Sequence, residues 1–383
     1  ENVVITISHA GYIKRTNLTE YKTQNRGGVG QKSAGTRDQD FLEHMFVATN
    51  HQYMMFFTQK GKCFWMRVYE IPEGSKTAKG RAIQNLVNIE SDDKVKAFIC
   101  TQDLKDKDYI NSHNLVMVTK QGQVKKTSLE KYSKPRVNGV AAITIKEGDE
   151  LLEAKLTNGD SQIILAVKSG KLVRFEETKT RPMGRTASGV RGITLKDDTD
   201  EVIGMVTIDR ENVNDSQILV VTENGYGKRT KLVDDDGEDV YRITNRGGKG
   251  VKTLNITDKT GKLISINAVT DADDLMIINK SGLTIRMAIE DLRVMGRATQ
   301  GVRLINLKGK DSIAAVTKVM KDDVAEVVVD EDGNVIESAI ERVKPDLEVL
   351  EDEGVVEDED DEDEVADDES EDEGDSDDEE SEE

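Results

Sequence analysis

The chain has 383 residues, with 75 Asp and Glu against 53 Lys and Arg, only 4% aromatic residues and two cysteines. That length exceeds the roughly 250–300 residues at which a single core stops growing, so the chain must split or repeat. Cys63 and Cys100 lack metal-ligand spacing and a disulfide framework, no apolar run nears the roughly 18–20 residues of a membrane helix, and no signal-peptide pattern opens the chain. A reducing cytoplasm is the expected setting. The first residues, Glu1-Asn2, run directly into a strand without Met, as in a piece of a longer protein.

Taken in order, the predicted elements repeat six times. Each copy opens with an apolar run: Val3–Ile7, Met54–Phe57, Leu115–Val118, Ile163–Val167, Ile218–Val221 and Leu275–Ile278. A turn glycine follows each run, at Gly11, Gly61, Gly122, Gly170, Gly225 and Gly282, and a second glycine comes later, at Gly30, Gly80, Gly139, Gly189, Gly250 and Gly301. The first glycines recur every 48 to 61 residues, a period expected of small sheets repeated around an axis. Val/Ile-rich runs between Gly-Lys, Asn-Gly, Asp-Gly and Ser-Gly turns make the fold class all-β, a ring of six blades of about four strands each. The blades drawn from the repeat run 1–53, 54–113, 114–162, 163–216, 217–273 and 274–323, each taken as a contiguous unit. Residues 324–345 read as a closing hairpin or linker, with Val327–Ile336 as the hairpin and Pro345 as the boundary.

The remaining residues, 346–383, differ in kind. They hold 26 of the 75 acids and no Lys or Arg, which leaves 49 acids against 53 bases before them, a net of +4. A mildly basic ring thus carries an acidic tail, and the tail has too little apolar content to offset the entropy of ordering, so disorder is expected there.

Basic residues flank both glycine positions. After the first come Lys14, Arg15, Lys62, Lys125, Lys126, Lys171, Arg174, Lys228, Arg229 and Arg286; around the second come Arg26, Lys32, Lys79, Arg81, Arg136, Arg185, Arg191, Arg246, Lys249, Lys252, Arg297 and Arg303. In any one repeat this is what a solvated hairpin tip looks like. Six registered copies predict a basic belt on one rim, with glycines that let backbone N–H groups approach phosphates, as needed to grip a duplex backbone without reading its sequence.

Gln24-Asn25-Arg26-Gly27-Gly28-Val29-Gly30 resembles the Gln-Arg-Arg-Gly-Gly-Lys-Gly box of the C-terminal domain of bacterial DNA gyrase A. Gly11-Tyr12-Ile13-Lys14, Leu18-Thr19-Glu20-Tyr21, Asn224–Thr230, Met183–Arg185 with Gly189–Gly192, and Val294–Val302 are similar to that domain in register, over about residues 1–323. The first box departs from the pattern at Asn25 and Val29. The fifth repeat carries a closer Arg246-Gly247-Gly248-Lys249-Gly250, preceded by Thr244 and Asn245 in place of Gln-Arg. The resemblance implies a six-bladed β-pinwheel that binds, bends and wraps double-stranded DNA with a fixed hand. It implies as partners the rest of gyrase A and the separate ATPase chain in a heterotetramer, with ATP and Mg2+ used elsewhere in that assembly and no cofactor here. It also implies a nucleoid-associated bacterial protein.

No Gly-x-x-x-x-Gly-Lys-Ser/Thr phosphate loop is present, His9, His44, His51 and His113 lack ligand spacing, and no tyrosine sits in a strand-cleaving context. No catalytic or metal residue is therefore assigned. Phe64 and Trp65 are expected to pack within a blade. Two further readings stand beside the gyrase one: the C-terminal domain of the A-type chain of topoisomerase IV, which would bend DNA without strong wrapping, and a protein-scaffolding β-propeller. For the tail, with Ser370, Ser376 and Ser381 among its acids, the readings are a tethered competitor of DNA for the rim and a solubility tail that touches nothing.

Overall fold

Each predicted run is a nearly continuous apolar stretch, and in the computed structural model its successive residues face opposite ways, so that sheet packs against sheet around a ring. The structure describes residues 2–17, 40, 42–75, 78–280 and 284–320, and the strand pairs 328–329, 335–336 and 341–342. The first-repeat box, including Gln24, Arg26, Gly27, Gly28, Gly30 and Lys32, lies outside the described residues, and so does the acidic tail.

Six four-stranded sheets form the blades. In blade 4 the order from the inside outwards is Val202–Asp209, Ser161–Val167, Lys171–Glu176 and Val251–Lys252. The innermost strands of all six blades, Leu42–Thr49, Val95–Thr101, Leu151–Thr157, Val202–Asp209, Leu263–Val269 and Ile313–Met320, line a shared central cavity of about 900 Å3. Each inner strand shifts register by a bulge at the same point of its blade. At each of the first, second, third and fifth hairpins, the hydroxyl of Ser8, Thr58, Thr119 or Thr222 accepts a hydrogen bond from the N–H just past the turn glycine, at 3.1–3.2 Å.

The contiguous blades expected from the repeat require a correction. Among the described residues, the short strand after each of the last five second glycines does not complete its own sheet; it crosses to the outer edge of the preceding blade. Arg81–Ala82 pairs with Tyr12 and Ile13, Val140–Ala141 with Lys62 and Cys63, Val190–Arg191 with Gln123 and Val124, Val251–Lys252 with Lys171 and Leu172, and Val302–Arg303 with Tyr226 and Gly227, all antiparallel. Blade 6 is completed differently, by Glu341–Arg342 running parallel to Ile285 and Arg286. A two-residue strand carries the same local signal whichever sheet it joins, so the repeat alone cannot assign it. Val328–Val329 pairs with Val335–Ile336 as a separate two-stranded sheet.

Five apolar clusters fill the faces between successive blades from 1–2 to 5–6. Between blades 1 and 2, for example, Ile5, Ile7 and Ile13 meet Met54, Phe56 and Phe64. The face of blade 6 turned away from that series buries Met276 and Val319, and the ring closes there through Thr317, whose Oγ1 donates to Glu43 Oε1 at 2.9 Å, while Glu43 also lies 3.3 Å from His9. The ring is therefore closed, a point the sequence left open.

The exchange dictates the second glycine. Gly250 has φ +77°, and a Cβ there would stand 2.4 Å from the Leu172 carbonyl oxygen of blade 4. Similar contacts with carbonyls of the preceding blade recur at Gly80, Gly139, Gly189 and Gly301. These glycines serve the strand crossing. Gly250→Ala is expected to destabilise the ring by about 3 kcal/mol or more, from left-handed strain plus a backbone clash. Gly237→Ala, at φ +84° with open space around it, should cost only about 1–2 kcal/mol. Urea unfolding of the two variants checks the difference, and equal losses would contradict the packing role of Gly250.

Candidate nucleic-acid interface

In the first five blades the residue four positions after the first glycine lies under the loop arriving from the next repeat. At that position stand Arg15, Trp65, Lys126, Arg174, Arg229 and Arg286. Arg15 Nε donates to the Ile71 carbonyl (2.8 Å), Trp65 Nε1 to Tyr132 O (3.1 Å), Arg174 Nη1 to Tyr241 O (2.8 Å) and Arg229 Nε to Leu292 O (2.7 Å). Lys126 reaches Glu177 O at 3.3 Å, and Arg286 Nε donates to buried Asp274 at 2.7 Å. The acceptors Ile71, Tyr132, Tyr241 and Leu292 all lie where an exchange loop begins. Buried carbonyls need donors, and a tryptophan can replace a cation here because the requirement is an N–H, not a charge.

The third residue after the glycine alternates around the ring. Blades 1, 3 and 5 carry Lys14, Lys125 and Lys228; blades 2, 4 and 6 carry Phe64, Val173 and Ile285. Each lysine is buried and ties down the loop from the next repeat. Lys14 Nζ donates to Ser75 O and Ala78 O (3.0 and 2.7 Å), and Lys228 Nζ to Gly296 O, Arg297 O and Thr299 O (2.6, 2.7 and 3.0 Å). Lys125 Nζ donates to Ala142 O at 2.5 Å and to Arg185 O. Burial, and after it the neighbouring Arg185, push the Lys125 ammonium down to about 7, so it carries less than a full charge at neutral pH.

The expected belt thereby loses most of the cations that follow the first glycine. Lys14, Lys125, Lys126, Arg174, Lys228 and Arg229 are buried, and Arg15 and Arg286 are half-buried with internal partners. These eight cations build the rim and do not face a ligand from it. Lys62 is paired with Glu90 at 3.1 Å.

The cations around the second glycines are placed outward. Lys79, Arg81, Arg136, Arg191 and Lys249 are exposed, and Arg185, Arg246, Lys252, Arg297 and Arg303 are partly exposed. Lys79 Nζ lies 3.9 Å from the centre of the Tyr12 ring and the Arg303 guanidinium 5.7 Å from that of Tyr226. Reading the repeat around its second glycine alone missed another set, exposed Arg181, Arg242 and Arg293, which stand eight residues before Gly189, Gly250 and Gly301. Counting back from the glycine would have found them.

Neighbouring exchange loops also touch one another along the outer edge. Thr144 Oγ1 donates to Thr186 O (2.5 Å), Thr194 Oγ1 to Gly247 O (2.6 Å) with Thr194 N–H to Gly248 O (2.9 Å), and Asn255 N–H to Thr299 O (3.1 Å). Arg246, in the fifth-repeat box, is oriented by donating from Nη1 to Arg191 O at 3.2 Å. Acids expected in turns act as caps: Asp40, Asp93, Asp149 and Asp200 accept N–H bonds from Ala10, Lys60, Gln121 and Ser169 at 2.8–3.1 Å. Among the described residues no three His, Cys, Asp or Glu converge into a metal set.

A family model described as the DNA gyrase C-terminal domain, β-propeller, matches residues 2–49, 52–102, 113–158, 162–209, 216–270 and 273–320, one match per blade. The chain belongs to this family. It is 40% identical over 359 residues to DNA gyrase A of Staphylococcus aureus strain MRSA252, and the same identity holds for strain NCTC 8325; the alignment covers 94% of this chain and 38% of each relative. The chain thus spans well under half the length of the gyrase A proteins it matches. Among solved structures it resembles the C-terminal domain of DNA topoisomerase IV (TM-score 0.71, 24% identity, covering 84% of this chain and 94% of that one) and the DNA gyrase A C-terminal domain (TM-score 0.60, 24% identity, covering 84% and 100%). At that identity both likenesses establish the fold alone.

The division of cations between staples and rim yields a direct contrast. Lys228→Met should lower stability by about 1–3 kcal/mol, since it removes the buried donor to three loop carbonyls. Arg136→Met, on the exposed face of the same kind of loop, should leave thermal unfolding unchanged. Equal effects at the two positions would contradict the division.

Proposed function

We propose that this chain binds duplex DNA along the outer edge of the ring and bends it around the blades, as the C-terminal part of a gyrase A protein. The observation that carries this reading is the recurrence of outward cations on loops that are themselves tied to the blade beneath and to the loop beside them. Phosphate contacts of this kind position a duplex without reading its sequence. Bending 20–30 bp by 40–90° costs on the order of 1–6 kcal/mol. A wrap needs several such bends in succession, which one loop could not offset and a series of loops can.

Within the whole protein, the bent segment would be presented to a strand-passing core, with supercoiling driven by ATP on a separate chain. Those steps belong to the parts of gyrase outside this chain, and the chain alone acts as a binding and bending module in the bacterial cytoplasm. The acidic tail, residues 346–383, competes with DNA for the rim as a tethered polyanion.

A fluorescence-anisotropy titration over a salt series tests both statements. Replacing Arg81, Arg136 and Arg191 by Gln should weaken binding and reduce the log–log salt slope by roughly 0.9 for each phosphate no longer neutralised, with unfolding unchanged. An unaltered slope would refute the rim as the phosphate-binding surface. In the same titration, a chain ending at Pro345 should bind more tightly than the full chain at low salt, and coincident curves would show that the tail does not compete.

A further inference from the structure

One exchange loop is built differently from the other four described. From the buried residue that opens the loop to the second glycine there are nine positions in four repeats (Ile71 to Gly80, Thr180 to Gly189, Tyr241 to Gly250, Leu292 to Gly301), but only seven from Tyr132 to Gly139. The shortened loop reads Lys134-Pro135-Arg136-Val137-Asn138, and all five residues are exposed. Val137 is 91% exposed, against 64% for the next most exposed large apolar residue of the described chain, Val47.

The loop is held. Gly139 N–H donates to Arg136 O at 3.0 Å, closing a tight turn with Val137 and Asn138 at its tip, and Asn88 Nδ2 donates to Asn138 Oδ1 at 3.3 Å. Pro135 fixes its own φ just before the turn. Gly, Asn, Asp, Pro and Ser are the residues that favour such turns; a β-branched valine is a poor choice on local grounds and is packed against nothing. Counted five residues on from the buried residue that opens the loop, Val137 nonetheless stands where the later repeats carry Arg185, Arg246 and Arg297.

We propose that Val137 is a wedge that enters a base step of the bound duplex from the minor groove and fixes one kink in its path. The inference rests on the DNA-binding reading above. Apolar side chains act in this way when basic and amide side chains flank them, since these follow the groove while the apolar group unstacks one step. Lys134, Arg136 and Asn138 supply those flanks. Pyrimidine–purine steps such as TpA unstack at least cost and are the expected target. A kink confined to one step spares the rest of the duplex part of the elastic bending energy and registers the wrap at blade 2, whose outer edge this loop completes.

The test uses the full 383-residue chain and a short duplex carrying 2-aminopurine beside a single TpA step, with end-to-end energy transfer reporting the bend. Saturating protein should raise the 2-aminopurine fluorescence several-fold. Val137→Ser should abolish the rise and reduce the bend, Val137→Leu should retain both, and thermal unfolding should be the same for all three proteins. Arg81→Gln should weaken binding yet keep the fluorescence rise at saturation. Saturated binding with no rise, or the same rise and bend in Val137→Ser, would overturn the wedge while leaving DNA binding intact. Absence of any binding at low salt would instead remove the DNA-binding reading, and the wedge with it.

Discussion

The structure depends on one exchange: the outer edge of each of the first five blades is completed by two residues from the following repeat. Without it, each sheet would present an unpaired outer edge, and successive blades would be joined by apolar contact alone. The exchange carries its own requirement. A loop that crosses between sheets brings carbonyls into the interior, and those carbonyls need donors. Arg15, Trp65, Arg174 and Arg229 meet that need at one position of the repeat, and Lys14, Lys125 and Lys228 meet it more deeply in alternate blades. Trp65 is the informative member, because it fulfils the role with no charge.

The same loops carry the outward cations, so the linkage of successive blades and the candidate DNA surface are one device. A loop whose backbone is tied from beneath by Lys228, and whose flank is tied to the next loop through Asn255 and Thr299, presents Arg297 from a fixed position. Fixed cations lose little conformational freedom on binding, which favours contact with a stiff polymer of regularly spaced charges. The modest net charge of the residues before the tail conceals this arrangement, because many of its bases are internal and many of its acids cap turns.

Much of the fold was legible in the sequence. The apolar runs located the central strands, and the paired glycines located the turns, because a left-handed backbone and a tight crossing both demand glycine at a fixed place. Blade number followed from the period. Pairing between repeats was not legible, since period-two alternation says which face a residue takes and nothing about which sheet a two-residue strand joins. Nor was the fate of the basic residues: Lys125 and Lys249 both follow a glycine-led turn pattern, yet one is buried under a loop and the other is exposed on it. The signal that separates them is spacing. Cations three and four residues after the first glycine are internal donors, and those grouped around the second are external.

The central claim is that the exchange loops form an outer edge around which duplex DNA bends with one hand. Its most direct test is to seal a nicked circular plasmid with ligase in the presence of increasing amounts of the protein, remove the protein, and resolve the linking number by gel electrophoresis. The account predicts a progressive shift of constant sign as protein is added, lost at high salt. Saturated binding with an unshifted topoisomer distribution would contradict it.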